Sequence, residues 1–166
     1  MDIHVRAATL SDIPEITEIY GYHVRTGTGS FEIEPPDQGE MTARFEKVQT
    51  QGWPYLVAVG AANEICGFAY AAQFRDRPAY AKTVEDSVYV SHSTQARGVG
   101  RSLLTALIIE IGKRGGRQII AVIGDAENHS SIALHKSCGF RHVGTYAHVG
   151  EKFDRLLDVV LMQRSS

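Results

Sequence analysis

The sequence predicts a single α/β domain over residues 1–166, with a central sheet that is mixed but mostly antiparallel and is flanked by helices. Three observations support this fold class. Short segments with apolar residues at every second position alternate with longer segments of helical periodicity. The hydrophobic and charged fractions, 43% and 22%, are ordinary for a globular domain. A chain of 166 residues can also bury one core without disulfides or metals.

One strand and two helices are predicted in the first third of the chain. Residues 3–7 alternate as a strand, and Ser11, followed by acidic residues in the first turn, begins a helix. A second helix is predicted at 40–49. The segment GTGSFEIEPPDQ at 27–38 breaks the helical periodicity with its glycines and prolines. We interpret it as a functional loop, although it fits a plain connection between helices equally well.

Three strands are predicted in the middle of the chain. Residues 55–59 and 64–74 flank a turn at 60–63 and form an antiparallel hairpin, and residues 84–91 form the third strand. Because side chains alternate along a strand, Glu85 lies on one face and Asp86 on the other. These two carboxylates therefore cannot act as a pair.

The remaining elements alternate between helix and strand. An amphipathic helix is predicted at 99–114, and two glycines end it. A short apolar strand follows at 117–124, then a helix at 128–137 and a last strand at 158–163. With one further strand before the last, the predicted order is β, α, α, β, β, β, α, β, α, β, β.

The most specific local feature is QARGVGRSLL at residues 95–104, between a predicted strand and a predicted helix. Gly98 and Gly100 permit a tight turn, and the free N–H groups and positive dipole end of a new helix bind anions. Arg97 and Arg101 add positive charge. The segment has neither the ending of a P-loop nor the spacing of a dinucleotide-binding turn. It predicts a diphosphate site, although a plain helix start has a similar sequence.

Composition excludes several classes of partner. The net charge is −2, with 17 basic and 19 acidic residues, so we expect no nucleic-acid partner. The sequence contains no apolar run of membrane-spanning or signal-peptide type, so we expect no membrane association. Cys66 and Cys138 have neither metal-ligand spacing nor the neighbours of a catalytic thiol. These features predict a cytoplasmic protein without a metal site.

Several motifs together resemble the GNAT superfamily of N-acetyltransferases. QARGVG is similar to the family's pyrophosphate-binding motif, and Asn128 and LHKSCGF (134–140) are similar to its downstream Asn and last helix. TVEDSVYVSH (83–92), AVIG (121–124) and VGEKFDRLLDVVLMQ (149–163) further resemble the phosphinothricin and methionine sulfoximine acetyltransferases. The resemblance covers nearly the whole chain. It implies a GNAT-like fold, acetyl-CoA as cosubstrate, an amino-acid-like substrate and a homodimer.

The resemblance also implies catalytic and cosubstrate-binding residues. Glu85 corresponds to the general base that takes a proton from the amine, and His135 stands where most GNAT enzymes have a Tyr that serves the leaving thiolate. Read alone, Glu85 fits a surface charge, His135 a polar surface residue and Asn128 a helix cap. The implied cosubstrate contacts are Val88, Tyr89, Val90, Gln95, Ala96, Arg97, Gly98, Val99, Gly100, Arg101, Ser102, Asn128 and Ser131.

The segment RDRPAY at 75–80 is the implied substrate-binding loop. Guanidinium groups pair well with carboxylate and phosphinate oxyanions. The resemblance implies substrate contacts at Arg75, Arg77 and Tyr80, with Phe31 in the pocket wall. Position 75 is often Lys in this branch, and the segment read alone fits a solvated loop. A protein N-terminal acetyltransferase and a non-catalytic acyl-CoA-binding module are the alternative functions.

Overall fold

One seven-stranded sheet organises residues 2–166, the part of the chain that the computed structural model describes. Its spatial order is β1-β2-β3-β4-β5-β7-β6. The β4–β5 pair is parallel and the other neighbouring pairs are antiparallel, which confirms the prediction of a mixed, mostly antiparallel sheet. The strands are β1 (His4–Ala7), β2 (Tyr55–Val59), β3 (Ile65–Gln73), β4 (Thr83–Val90), β5 (Gln118–Gly124), β6 (Arg141–Lys152) and β7 (Arg155–Ser165).

Helices cover both faces of this sheet. They are α1 (Ile13–Thr26), α2 (Gln38–Thr50), α3 (Val99–Lys113) and α4 (His129–Ser137). On one face, α1 and α2 enclose a core that includes Ile16, Phe45 and Phe68. On the other face, the apolar side of α3 packs against the middle strands through residues such as Leu103 and Leu107. No helix among residues 2–166 has the length and apolar composition needed to cross a bilayer.

The predicted order of elements agrees with the structure, but some boundaries differ. A short 3-10 turn, Leu10–Asp12, precedes α1. Helix α2 begins two residues before the predicted start, because the Asp37 carboxylate accepts a hydrogen bond from the Glu40 amide at 2.8 Å and caps it. Strand β7 is longer than the predicted 158–163.

Strand β6 had no predicted boundaries, and its structure explains why. Most of its residues are exposed, so apolar and polar side chains do not alternate along it. Its pairing with β7 shifts register twice, between His142 and Gly144 and between Tyr146 and Gly150. A strand at the edge of a sheet with two irregularities leaves little periodic signal in the sequence.

Candidate active site

The central opening of the sheet lies between β4 and β5. These strands pair from Thr83↔Gln118 to Asp86↔Ala121. Beyond that point β4 continues along β3 to Val90, while β5 continues along β7 to Gly124. The two strands therefore separate, and a cleft with a volume of about 1040 Å³ opens at the fork.

Most of the predicted site residues line this cleft. The predicted residues that line it are Phe31, Glu85, Val88, Tyr89, Val90, Gln95, Ala96, Gly98, Val99, Gly100, Arg101, Asn128, Ser131 and His135. Arg97 and Ser102 belong to the same loop and helix start, but they are exposed and are not among the lining residues. The fold thus brings segments separated by about a hundred residues in sequence around one opening.

The glycine-rich segment forms the turn into α3 at the wall of the cleft. Gly98 is the N-cap residue and has φ 82°, in the left-handed region where a side chain is strained. A Cβ at Gly100 would lie 3.2 Å from Leu134, so this turn packs closely against α4. The amides of the first turn of α3 have no acceptor within the helix. With Arg101 beside them, they can hold an anionic group.

Glu85 faces the cleft from the α1 and α2 side of the sheet. It is half-buried, and its carboxylate takes part in none of the hydrogen bonds found within residues 2–166. Burial, and to a smaller extent the charge of Asp86, raise the pKa of Glu85 above its ordinary value. A carboxylate with a raised pKa is a better proton acceptor at neutral pH than a solvated one.

His135 is buried, unlike the surface residue that its sequence context alone suggested. It has 4% exposure, and its ring stacks edge-on to Phe140 at 4.9 Å. Nδ1 lies 2.7 Å from the Ser131 carbonyl oxygen, and Nε2 lies 2.7 Å from Asp86 Oδ2. Both ring nitrogens are therefore engaged by acceptors of the protein, and a hydrogen bond from His135 to a leaving thiolate would require one of these contacts to break.

Polar contacts hold the loop after α1 against the strands that border the cleft. Thr28 Oγ1 donates a hydrogen bond to Asp125 Oδ2 at 2.7 Å. Lys152, which is 4% exposed, donates from Nζ to the Ser30 carbonyl oxygen at 2.8 Å. Burial lowers the pKa of Lys152. These contacts connect the loop to the end of β5 and to β6, so the loop belongs to the wall of the site.

A partly exposed ion pair adds to this attachment. Arg44 binds Glu32 with both terminal nitrogens, at 2.7 and 2.9 Å. The Tyr20 hydroxyl donates to Glu32 and contacts the Ser30 hydroxyl. Burial and the hydrogen bond to Glu32 raise the pKa of Tyr20 to about 12.

Two glycines make room for the predicted pocket residue Phe31. A Cβ at Gly124 would lie 2.6 Å from the Thr28 carbonyl oxygen and 2.7 Å from the Phe31 ring. A Cβ at Gly150 would overlap the same ring. The absence of both side chains allows the ring to lie between β5 and β6 at the edge of the cleft.

His23 holds the end of β4. Its Nε2 lies 2.6 Å from the Val90 carbonyl oxygen, so this nitrogen carries the hydrogen. Burial lowers the pKa of His23, which favours the neutral ring. His23 and Val90 both line the cleft. The contact fixes the last carbonyl of the strand that precedes the glycine-rich segment.

The RDRPAY segment lies apart from the cleft lining. Arg75, Arg77 and Tyr80 are exposed and are not among the residues that line the opening. Gln73 Nε2 donates to the carbonyl oxygens of Arg75 and Arg77, and Tyr80 packs edge-on against Phe74. Their substrate-binding role stays a prediction.

Several residues of the site were missed by sequence reasoning. Asp86 and Asp125 had a usable signal, since each is an acidic residue at a position where a buried strand continues or ends. His23, Ser30 and Lys152 had none, because their partners come from distant parts of the chain.

Comparison with known proteins agrees with the motifs. Residues 5–161 match the family described as "Acetyltransferase (GNAT) domain". The chain is 49% identical over 160 residues to phosphinothricin N-acetyltransferase of Alcaligenes faecalis, covering 96% of this chain and 81% of that one. It is 37% identical over 163 residues to the L-methionine sulfoximine/L-methionine sulfone acetyltransferase of Pseudomonas paraeruginosa, covering 98% and 94%.

A solved structure extends the likeness to three dimensions. The phosphinothricin acetyltransferase of Sinorhizobium meliloti, crystallised with acetyl-CoA, superposes with a TM-score of 0.97 at 42% identity. The match covers 99% of this chain and 89% of that one. The forked sheet and the glycine-rich turn agree with these relatives. The chain therefore belongs to the GNAT acetyltransferases, in the branch of the phosphinothricin and methionine sulfoximine enzymes.

Proposed function

We propose that this protein transfers the acetyl group of acetyl-CoA to the α-amine of a small amino-acid-like substrate of the phosphinothricin type. Methionine sulfone, methionine sulfoximine and other L-amino acids are the alternative acceptors. One observation carries the proposal: a single cleft joins an anion-binding helix start to a half-buried Glu85 at the fork of the sheet. The names of the relatives support the acceptor class.

The proposed cosubstrate contacts follow the cleft. The pyrophosphate pairs with the amides of the turn at Gly98 and Gly100 and with neighbouring arginines. The backbone groups of Val88 and Val90 pair with the amides of the pantetheine arm. The end of β4–β5 pairing at Asp86↔Ala121 supports this, because the cleft side of β4 has no strand neighbour beyond it.

The proposed reaction is a direct transfer without an acyl-enzyme. Glu85 accepts a proton from the substrate ammonium, directly or through water, and the neutral amine attacks the thioester carbonyl. A C–N bond forms and the C–S bond breaks. The second proton, which the nitrogen loses as it becomes an amide, goes to the leaving sulfur, so coenzyme A departs as its thiol. The raised pKa of Glu85 supports its role as the base.

Glu85→Gln tests the base directly. We expect kcat at pH 7 to fall by roughly 100-fold or more, the usual worth of a positioned base, while KM for acetyl-CoA stays near normal. Part of the rate should return at higher pH, since more of the amine is then neutral. Steady-state assays with phosphinothricin, methionine sulfone, methionine sulfoximine, free L-amino acids and a short peptide measure both quantities. Wild-type kcat in the variant would exclude Glu85 as the base, and a preference for the peptide would favour an N-terminal acetyltransferase.

Arg77→Ala tests whether Arg77 binds the anionic group of the substrate. Loss of a desolvated, charge-assisted contact should reduce kcat/KM for phosphinothricin roughly thirtyfold. Methionine sulfone, which has no phosphinate, should be much less affected, and KM for acetyl-CoA should not change. Arg77→Lys should recover only part, because it keeps the charge and loses the planar fork. Equal losses for both substrates would assign Arg77 to loop structure.

The homodimer and the cytoplasmic location also stay proposals. The exposed apolar side chains of the β6–β7 hairpin support a second copy at that edge. The composition and the two unpaired thiols, Cys66 and Cys138, support a reducing compartment.

A further inference from the structure

Asp86 is a buried carboxylate that no predicted role uses. It is the last β4 residue to pair with β5, it lines the cleft, and its side chain is 1% exposed. Oδ2 contacts His135 Nε2 at 2.7 Å. Oδ1 is buried and has no hydrogen-bond partner within residues 2–166. A buried carboxylate at the fork of the sheet is costly to maintain, so its contacts call for an explanation.

Geometry fixes where the protons of this pair lie. A carbonyl oxygen can only accept, so His135 Nδ1 donates to Ser131. If Nε2 and Asp86 Oδ2 both presented lone pairs at 2.7 Å, they would repel, so one proton must lie between them. Burial alone would lower the pKa of His135, but the hydrogen bond and charge of Asp86 outweigh it and the net shift is upward. The imidazolium form is therefore favoured.

The pair also determines how α4 is held. His135 is the only buried residue of this nine-residue helix. The same helix begins at Asn128, whose side chain accepts a hydrogen bond from the Ser131 amide at 3.3 Å, and Asn128, Ser131 and Leu134 all line the cleft. The part of the cleft wall that α4 forms is thus held to β4 by one buried polar contact, in addition to the partly buried Ile132 and Leu134, which pack against the core.

We propose that Asp86 is a positioning residue: it holds His135 as an imidazolium and, through it, fixes α4 against β4 at the wall of the acetyl-CoA cleft. Glu85, one residue earlier, faces the opposite side of the sheet and has no part in this contact. The free Oδ1 of Asp86 remains available to a hydrogen-bond donor that arrives with the cosubstrate arm. Only the part of this proposal that concerns acetyl-CoA binding or turnover rests on the proposed function.

Two substitutions separate charge from geometry. In Asp86→Asn the amide can donate from Nδ2 to a neutral His135 Nε2, so the contact survives without the charge. In Asp86→Ala the buried ring loses its partner. Lys136→Ala, at an exposed position on the same helix, is the matched control.

Ring nitrogen NMR of histidine-labelled protein is the first measurement. We expect His135 to carry hydrogen on both nitrogens at neutral pH in the wild type and in Lys136→Ala. In Asp86→Asn the ring should be neutral, with its hydrogen on Nδ1. A neutral His135 in the wild type, or an unchanged ring in Asp86→Asn, would refute the ion pair. This measurement does not depend on catalysis, so it tests the Asp86–His135 ion pair even if the protein acetylates no amine.

Cosubstrate affinity is the second measurement. KM for acetyl-CoA, or its Kd by calorimetry if turnover is absent, should rise about tenfold in Asp86→Ala, the effect of one lost buried hydrogen bond. It should stay within about threefold of wild type in Asp86→Asn and be unchanged in Lys136→Ala. Wild-type affinity in a folded Asp86→Ala would show that the contact does not position the cleft. If Asp86→Ala does not fold, equal tenfold losses in Asp86→Asn and in the control would refute the proposal.

Discussion

At the scale of single residues, two carboxylates of this protein have opposite pKa shifts, because only one of them has a cationic partner. Asp12 is paired with Arg6, which lowers its pKa, chiefly through their hydrogen bond. Glu85 is buried without a cationic partner, which raises its pKa. The first carboxylate is therefore bound in its charged form and stabilises the fold, whereas the second remains available for proton transfer.

Asp12→Asn should lower the free energy of unfolding by about 1–2 kcal/mol at pH 7. Because the native pKa is the lower one, the contribution of Asp12 is present above its unfolded pKa of about 3.9 and is lost as pH falls through the native value. Arg6 is 35% exposed, and solvent screening keeps the effect modest. Urea unfolding between pH 7 and pH 2 measures it.

The exposed pair between Arg44 and Glu40 provides the control. Glu40 is 54% exposed in that pair, so Glu40→Gln should change the unfolding free energy by less than about 0.5 kcal/mol. A deficit in Asp12→Asn that stays constant down to pH 2 would show that packing, and not the charge of Asp12, causes it.

What the sequence could predict at this scale depended on distance along the chain. Alternation in β4 placed Glu85 and Asp86 on opposite faces, and the structure has them so. The partner of Asp86 is 49 residues away on a helix with little apolar periodicity, so no local pattern indicated that His135 is buried. The only local signal was that Asp86, an acidic residue, shares a strand face with the apolar Val88.

At the scale of elements, the turn into α3 combines a strained conformation with an anion-binding helix start. Gly98 has φ 82°, and no atom lies near the Cβ that a side chain would add there. Substitution therefore acts through backbone strain and not through a clash. The turn is a local feature of glycines and a helix start, which is why sequence alone predicted it, whereas the irregular edge strand β6 was not located.

Gly98→Val should raise KM for acetyl-CoA strongly, because the turn must leave the left-handed conformation that aims its amides into the cleft. Gly100→Val should act similarly through contact with Leu134. Gly115→Val is the matched control, since Gly115 has φ 84° and equally open surroundings at the far end of α3. All three should fold, which thermal denaturation will check. An equal KM for acetyl-CoA in Gly98→Val and Gly115→Val would show that the turn at Gly98 does not bind the cosubstrate.

At the scale of the whole molecule, the β6–β7 hairpin is the most apolar exposed edge. Tyr146, Val149 and Leu156 are 53%, 60% and 60% exposed. An edge strand also presents unpaired backbone groups along its outer side. A second copy of the chain offers the same surface in return, as a two-fold interface requires.

Val149→Lys is expected to convert a dimer into a monomer, since it places a charge in the apolar contact. Ile109→Lys, at a 53% exposed position on α3, should leave the dimer intact. Light scattering coupled to size exclusion gives the mass of each variant. A monomeric wild type at micromolar concentration, or equal dissociation of both variants, would contradict an interface at this hairpin.

The fork of the sheet also bears on the order in which reactants meet. Its lining comes from both faces of the sheet, with Glu85 and Tyr89 on the α1 side and Asp86 and Val88 on the α3 side. For the proposed transfer, we expect the thioester to enter from the side of α3 and the amine from the side of α1, so that the two meet at the opening. Neither reactant then covers the entrance of the other. We therefore expect either reactant to bind first and each product to leave by its own side. Steady-state plots should then show intersecting lines, as expected for a sequential mechanism through a ternary complex.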